Sequence, residues 1–318
     1  MANFYPKIFC LLLSLSTSLL LAVSERDFAK TPEFQELWVR GGFDYYRSDA
    51  NFDPDSSTTD IVLSNELVQL TDLVTWANAQ YGIADRWSLG IQFSVISSSL
   101  DSLTQGDTVL AGNGLGDIIT NLKWAIGFDV PIFTLELRMT LPTANSTQND
   151  VRDIVIGDGS FDFGLYLQTG VISSGANFFL TPAVIFRSGG YSAQGQILAG
   201  IEILLSRFYL LGNTKFTYSI ENTALRDSSV DVHDAIGSGN SYARLNGSPI
   251  GLELGALAGF QVSPVVALEL GTQFSLMGNK YPKFFSIGGA LRLQWEPKKE
   301  PKKPRAREIP LEMNYQNF

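Results

Sequence analysis

The chain is poor in the residues on which most site chemistry depends. It has one cysteine, one histidine and four methionines among 318 residues, and 17% of its residues are charged. The single cysteine, Cys10, sits inside an N-terminal apolar run, so the chain without that run would have none. A disulfide framework, a thiol nucleophile and a cysteine-ligated metal site are therefore excluded. Acidic residues outnumber basic ones 32 to 23, a formal net charge of −9, which argues against nucleic acid as a partner. Beyond the N-terminus there is no further long apolar run.

That N-terminus reads as a secretory leader. Lys7 precedes an apolar run from Ile8 to Ala22, and Ala22-Val23-Ser24 supplies small residues at cleavage spacing. The run is short for a retained anchor and is broken by Ser14, Ser16, Thr17 and Ser18. Cleavage near Ser24 removes Lys7 and takes the net charge from −9 to −10.

What the chain does have is a period-two apolar rhythm that returns about a dozen times. In its clearest instance Phe133, Leu135, Leu137, Met139 and Leu141 interleave with Thr134, Glu136, Arg138 and Thr140. A soluble sandwich buries such an apolar face in a core, whereas a transmembrane barrel turns it to lipid and keeps the polar face in the lumen.

Strands are expected near residues 37–46, 67–81, 87–95, 118–126, 133–141, 161–167, 179–187, 196–205, 209–220, 250–262, 265–277 and 285–295. Short connections near 82–85, 127–131, 172–177, 206–208 and 263–264 alternate with long ones near 48–60, 97–114, 142–159 and 221–249. Barrels place short turns in the periplasm and long loops outside. Tyr81 and Trp87 flank one short turn, where an aromatic girdle belongs. The expected architecture is an all-β, antiparallel transmembrane barrel of about twelve strands over 36–295, after a leader (1–24) and an N-terminal periplasmic segment (25–35). The last part, 296–318, carries Lys298, Lys299, Lys302, Lys303, Arg305 and Arg307 among prolines and reads as a disordered basic periplasmic tail.

Three passages resemble one family, the outer membrane proteins associated with meta-pathway phenol degradation. They are QYGIADRWSLGI at 80–91, GLGDIITNLKW at 114–124, and LELRMTLPT at 135–143 followed by GDGSFDFGL at 157–165. The resemblance implies a porin-like barrel that passes small, often aromatic, molecules across the outer membrane, and it brings no catalytic residues. Ser286-x-Gly288-x-x-Leu291-x-Leu293, closing on Trp295, also resembles the terminal-strand signal read by the barrel-assembly machinery, although it stands some way before the C-terminus.

If the lumen is a passage, inward side chains set its selectivity. Parity puts Asp117, Lys123, Glu136, Arg138, Asp162, Tyr166, Glu202, Lys215, Glu253, Glu269 and Arg292 inside. Counted from the turn near Asp129, Lys123 and Glu136 are level, with Arg138 one inward position further along. Glu269 and Arg292 are likewise expected to be roughly level. Such pairs either line a constriction or plug a narrow barrel, because an uncompensated charge in a tight lumen is costly.

Other motifs carry less. His233, with Ser238 and Asn240, has the residue types of a barrel lipid hydrolase, but stands in a glycine-rich loop instead of on a rigid strand. Asn51-x-Asp53-x-Asp55 begins like a calcium loop, yet Ser56 and Val62 replace its glycine and bidentate glutamate. Gly112-x-Gly114-x-Gly116 precedes a strand, so it is no dinucleotide fingerprint.

The sequence therefore points to an outer membrane channel for passive passage of small solutes, aromatic or apolar ones first, with no cofactor and no covalent chemistry. Its expected partners are the solute, outer membrane lipids with lipopolysaccharide, and the assembly machinery. A structural or surface-interaction barrel with a plugged lumen is the second reading, and a lipid-modifying enzyme using His233 the third.

Overall fold

The computed structural model describes residues 31–52, 60–62, 68–102, 108–127, 131–144, 160–172, 175–188, 193–220, 250–279 and 282–296. The leader, the basic tail, His233 and residues 53–59 of the calcium-like loop lie outside them. Fourteen strands occur among the described residues. The first seven are β1 (Leu37–Phe52), β2 (Asp60–Val62), β3 (Val68–Ala84), β4 (Trp87–Ser102), β5 (Thr108–Leu115), β6 (Ile118–Gly127) and β7 (Ile132–Leu141). The others are β8 (Asp162–Ile172), β9 (Ala176–Arg187), β10 (Gln194–Leu205), β11 (Phe208–Ser219), β12 (Ile250–Ser263), β13 (Val266–Asn279) and β14 (Pro282–Trp295).

Twelve of these strands form a closed antiparallel barrel. Each pairs with its neighbour in sequence, and β1 closes the ring by pairing with β14 in the register Leu37↔Trp295 to Ser48↔Phe284. The two remaining strands extend the wall at one end. β2 continues on β1 past the end of β3, and β5 takes the far half of β4 from Val95 to Asp101 while β6 takes the near half from Trp87 to Gln92. Gly116 and Asp117 separate β5 from β6, and Gly116 N–H donates to Ser94 O at 2.9 Å to hold the wall together there.

This corrects the sequence reading of 97–114 as one long loop. The alternation of β4 continues through Ser97, Ser98 and Ser99, and each pairs with a residue of β5. Small hydroxyl side chains satisfy a strand as well as a loop, so composition alone misassigned them. β1 likewise runs to Phe52, into the predicted loop at 48–60, and the turn after β3 narrows to Asp85 and Arg86.

The outer face is predominantly apolar. Trp87, Leu89, Ile91, Phe93 and Val95 are all exposed along β4, and Phe163, Leu165 and Leu167 are exposed along β8, with Phe161 exposed just ahead of it. Continuous exposed apolar surface of this extent is incompatible with water and fits a bilayer. Trp87 stacks on its cross-strand partner Trp124 with ring centroids 5.5 Å apart, and Tyr81, Phe208 and Trp295 are exposed at the same end of the barrel. These rings make the girdle expected at a headgroup boundary. A Leu165→Arg barrel should lose about 2–4 kcal/mol of stability in lipid vesicles, the cost of a charge near the midplane. Urea unfolding checks this, and a loss near zero would place that face in water.

Ahead of β1 the chain turns back into the barrel mouth. Gln35, with φ 67°, donates its N–H to Gly82 O at 2.8 Å, and Gly82 N–H donates to Glu36 O at 3.0 Å. A Cβ on Gly82 would lie 1.8 Å from Glu33 O, so only glycine admits this approach. The buried Glu36 carboxylate locks the turn, accepting from Glu33 N–H at 2.7 Å, Trp38 Nε1–H at 2.6 Å and Gln294 Nε2–H at 2.6 Å.

Candidate functional site: the barrel lumen

The inward rows carry most of the polar residues, and several of their charges are paired. Lys123 faces Glu136 directly across β6 and β7. The Glu136 carboxylate is fully buried, with Arg138 Nε at 2.9 Å and Lys123 Nζ at 3.8 Å, and it accepts from Gln168 Nε2–H. Arg138 also lies over the Tyr166 ring, 4.1 Å from its centroid, a cation–π contact that fixes the guanidinium. Lys215 and Glu253 are cross-strand partners on β11 and β12 with Nζ–Oε1 at 2.9 Å, and Gln273 Nε2–H donates to the other carboxylate oxygen. On the same inward rows Asn177 donates to Glu202 at 2.6 Å, and Arg187 approaches Asp162 at 3.3 Å.

Two predicted lumen residues stand differently from the sequence reading. Glu269 faces Ala290 and Arg292 faces Ala267, so the two are one inward step apart. The guanidinium that grips Glu269 is that of Arg40, whose Nη2 contacts both carboxylate oxygens at 2.9 Å, and Tyr209 O–H donates to the same group at 2.5 Å. On the intervening β14 Arg40 faces Arg292 and Glu269 faces Ala290, whose small side chain leaves room for the diagonal reach. Arg292 donates to Gln261 Oε1 at 3.3 Å. Asp117 sits in the break between β5 and β6, where its carboxylate accepts the N–H groups of Thr143 and Ala144 at 3.1 and 3.0 Å.

A second layer escaped the sequence reading. Trp76, Phe179, Leu198, Tyr209, Leu211, Leu257 and Ala290 form one buried cluster inside the barrel, each 8% exposed or less. They come from β3, β9, β10, β11, β12 and β14, half the circumference, so side chains fill the lumen at that level. Trp76 dominates it by volume. Its Nε1–H donates to Asp44 Oδ2 at 2.9 Å, and its ring lies against Gly42, where a Cβ would stand 2.8 Å from Cζ2. The available signal was the inward glycine on the neighbouring strand, since Gly42, Gly200 and Gly259 each receive the ring of Trp76, Phe179 or Tyr209. Nearer the loops, Val74, Ile96 and Ala144 make a smaller apolar contact.

Between the charged and apolar layers lies a cavity of about 20 Å³, lined by Arg138, Tyr166, Gln168, Thr181, Leu198 and Lys215 among others. That is room for about one water. Gln168 Oε1 and Thr181 Oγ1 are buried there without a protein partner, so a water suits the space chemically.

No family model matches this chain, and no curated protein matches it. Solved structures do. An outer membrane channel from Pseudomonas putida F1 superposes with a TM-score of 0.62 at 14% identity, over 85% of this chain and 98% of that one. The NanC porin gives 0.48 at 12% identity over 81% and 100%, and the CymD monoaromatic hydrocarbon channel gives 0.44 at 7% over 90% and 99%. At these identities the likeness is one of fold, and the first of them matches the closed barrel described above.

Proposed function

We propose that this chain is an outer membrane channel of a Gram-negative bacterium, passing small apolar or aromatic solutes through a narrow, side-chain-lined lumen. One observation carries the reading: an apolar layer around Trp76 interrupts a lumen whose described charges are largely paired with one another. A dry apolar constriction opposes ions, which must shed water to cross it. An apolar or aromatic solute pays no such cost there. The resemblance of residues 80–91, 114–124, 135–143 and 157–165 to the phenol-degradation outer membrane family supports the same solute class.

In this reading Lys123, Glu136, Arg138, Tyr166, Lys215 and Glu253 shape the polar antechamber, and Arg40, Tyr209 and Glu269 stiffen the closing seam. Residues 1–24 act as the export leader, and the closing strand β14 addresses the chain to the barrel-assembly machinery. The basic tail lies in the periplasm, and the outer loops meet lipopolysaccharide. A second reading, a structural barrel with a permanently plugged lumen, is favoured by the buried cluster around Trp76 and by the turn at Glu33–Glu36 seated in the mouth.

Planar-bilayer recording separates the two. The wild-type barrel should carry a small residual ionic current that phenol lowers reversibly, as the solute enters the same path. Large stable conductance steps would contradict the apolar constriction. A silent bilayer that phenol leaves unchanged would favour the plugged barrel.

A further inference from the structure

We infer that the space filled by the Trp76 indole is a binding slot for a neutral planar aromatic molecule bearing one N–H or O–H donor, with Trp76 as its resident occupant and Asp44 as the acceptor. The inference rests on the channel reading and adds the solute chemistry to it.

Asp44 is the observation that sets this site apart. Its side chain is buried, 3% of the residue being exposed, and its hydrogen bond among the described residues is the one from Trp76 Nε1–H. The other strongly buried lumen acids are held by a cation, an amide or a hydroxyl: Glu136 by Lys123 and Arg138, Glu253 by Lys215, Glu269 by Arg40, Glu202 by Asn177 and Asp72 by Ser98. Asp44 has an indole alone and no cation within the described residues. A buried carboxylate supported by one neutral donor costs stability. A layer built only to seal the lumen would carry an apolar residue at this position.

The surroundings fit a planar guest. Gly42 forms the floor beneath the ring, with Ala290 beside it, and Phe179, Leu198, Leu211 and Leu257 continue the apolar wall. Gly288 makes room for the carboxylate itself, since a Cβ there would fall 1.8 Å from Asp44 Oδ1. The slot thus accepts an apolar plate with a single donor at its edge. When the indole swings away, a phenol or an indole restores both interactions. A ring without a donor leaves the carboxylate bare, and an aromatic carboxylate meets like charge.

The test uses the full barrel with Trp76→Ala, refolded in detergent and titrated with indole or 1-methylindole by calorimetry. Indole should bind the variant about ten-fold more tightly than 1-methylindole, the worth of one hydrogen bond to a charged acceptor. The wild type, its slot filled, should bind neither comparably. Equal affinity for the two ligands, or no binding by the folded variant, would overturn the slot. Should Trp76→Ala fail to fold, Asp44→Leu supplies the measurement, because it removes a lone buried carboxylate and leaves a single neutral indole N–H without its acceptor. Phenol should then lower the residual current of the wild type at about ten-fold lower concentration than it does that of Asp44→Leu. Equal potency would overturn the proposal. Indole binding by Trp76→Ala without aromatic uptake by cells would retain the slot and remove the channel reading. Uptake without a donor preference would do the reverse.

Discussion

Trp76→Ala should turn a nearly closed barrel into a leaky one, raising ionic conductance in planar bilayers by on the order of ten-fold as the dry layer gives way to water. Trp76 is the largest fully buried side chain among the described residues, and its removal leaves Gly42 with no side chain bulkier than Ala290 against it. The flanking cluster cannot close the gap, since Phe179 and Tyr209 are each seated over a glycine of the next strand. Stability should fall by about 3–5 kcal/mol, the usual range for a buried aromatic truncated to alanine. A change at the lipid face, Leu293→Ala, should leave conductance untouched. If Trp76→Ala conducts no better than the wild type, the constriction lies elsewhere.

Glu136→Gln should destabilise the barrel by about 3–5 kcal/mol without opening it. The carboxylate is fully buried and holds Lys123, Arg138 and Gln168 together, so the neutral amide removes the negative charge that draws two cations close to one another. Arg138 keeps its stacking on Tyr166, but that contact does not neutralise it. Urea unfolding in micelles, followed by the mobility shift between folded and unfolded barrel, reads the effect. Adding Lys123→Met should recover part of the loss, because the repulsion between the two cations is then gone. A loss below about 1 kcal/mol would show that the pair is screened by water, as an open polar pore requires.

Much of this architecture was legible in the sequence because lipid and lumen impose opposite polarities on alternate residues. The rows Trp87 to Val95 and Phe161 to Leu167 declare their face, and they are exposed in the structure as that alternation requires. The Lys123–Glu136 pair was legible too, since one short turn fixes the register between β6 and β7. Arg40 with Glu269 was not: the two are 229 residues apart in sequence, and their meeting depends on how the last strand closes on the first. The apolar layer was hidden for a different reason. Where Val74, Thr75 and Trp76 are buried in succession, the inward side chains are as apolar as the outward ones, and period two loses its contrast. Asp44 then looks like any lumen acid, and its dependence on Trp76 appears only once β1 and β3 are set side by side, with the two residues two places out of direct register.

The most direct test of the central claim is the initial rate of phenol uptake by intact Gram-negative cells with a complete lipopolysaccharide layer, with and without this barrel, against glycerol as a polar solute of similar size. The account predicts faster phenol uptake in cells that make the barrel, with glycerol nearly unchanged, because the Trp76 layer favours the aromatic ring. Equal acceleration of both solutes would contradict it by revealing an unselective pore. No acceleration of either would leave a barrel that does not transport.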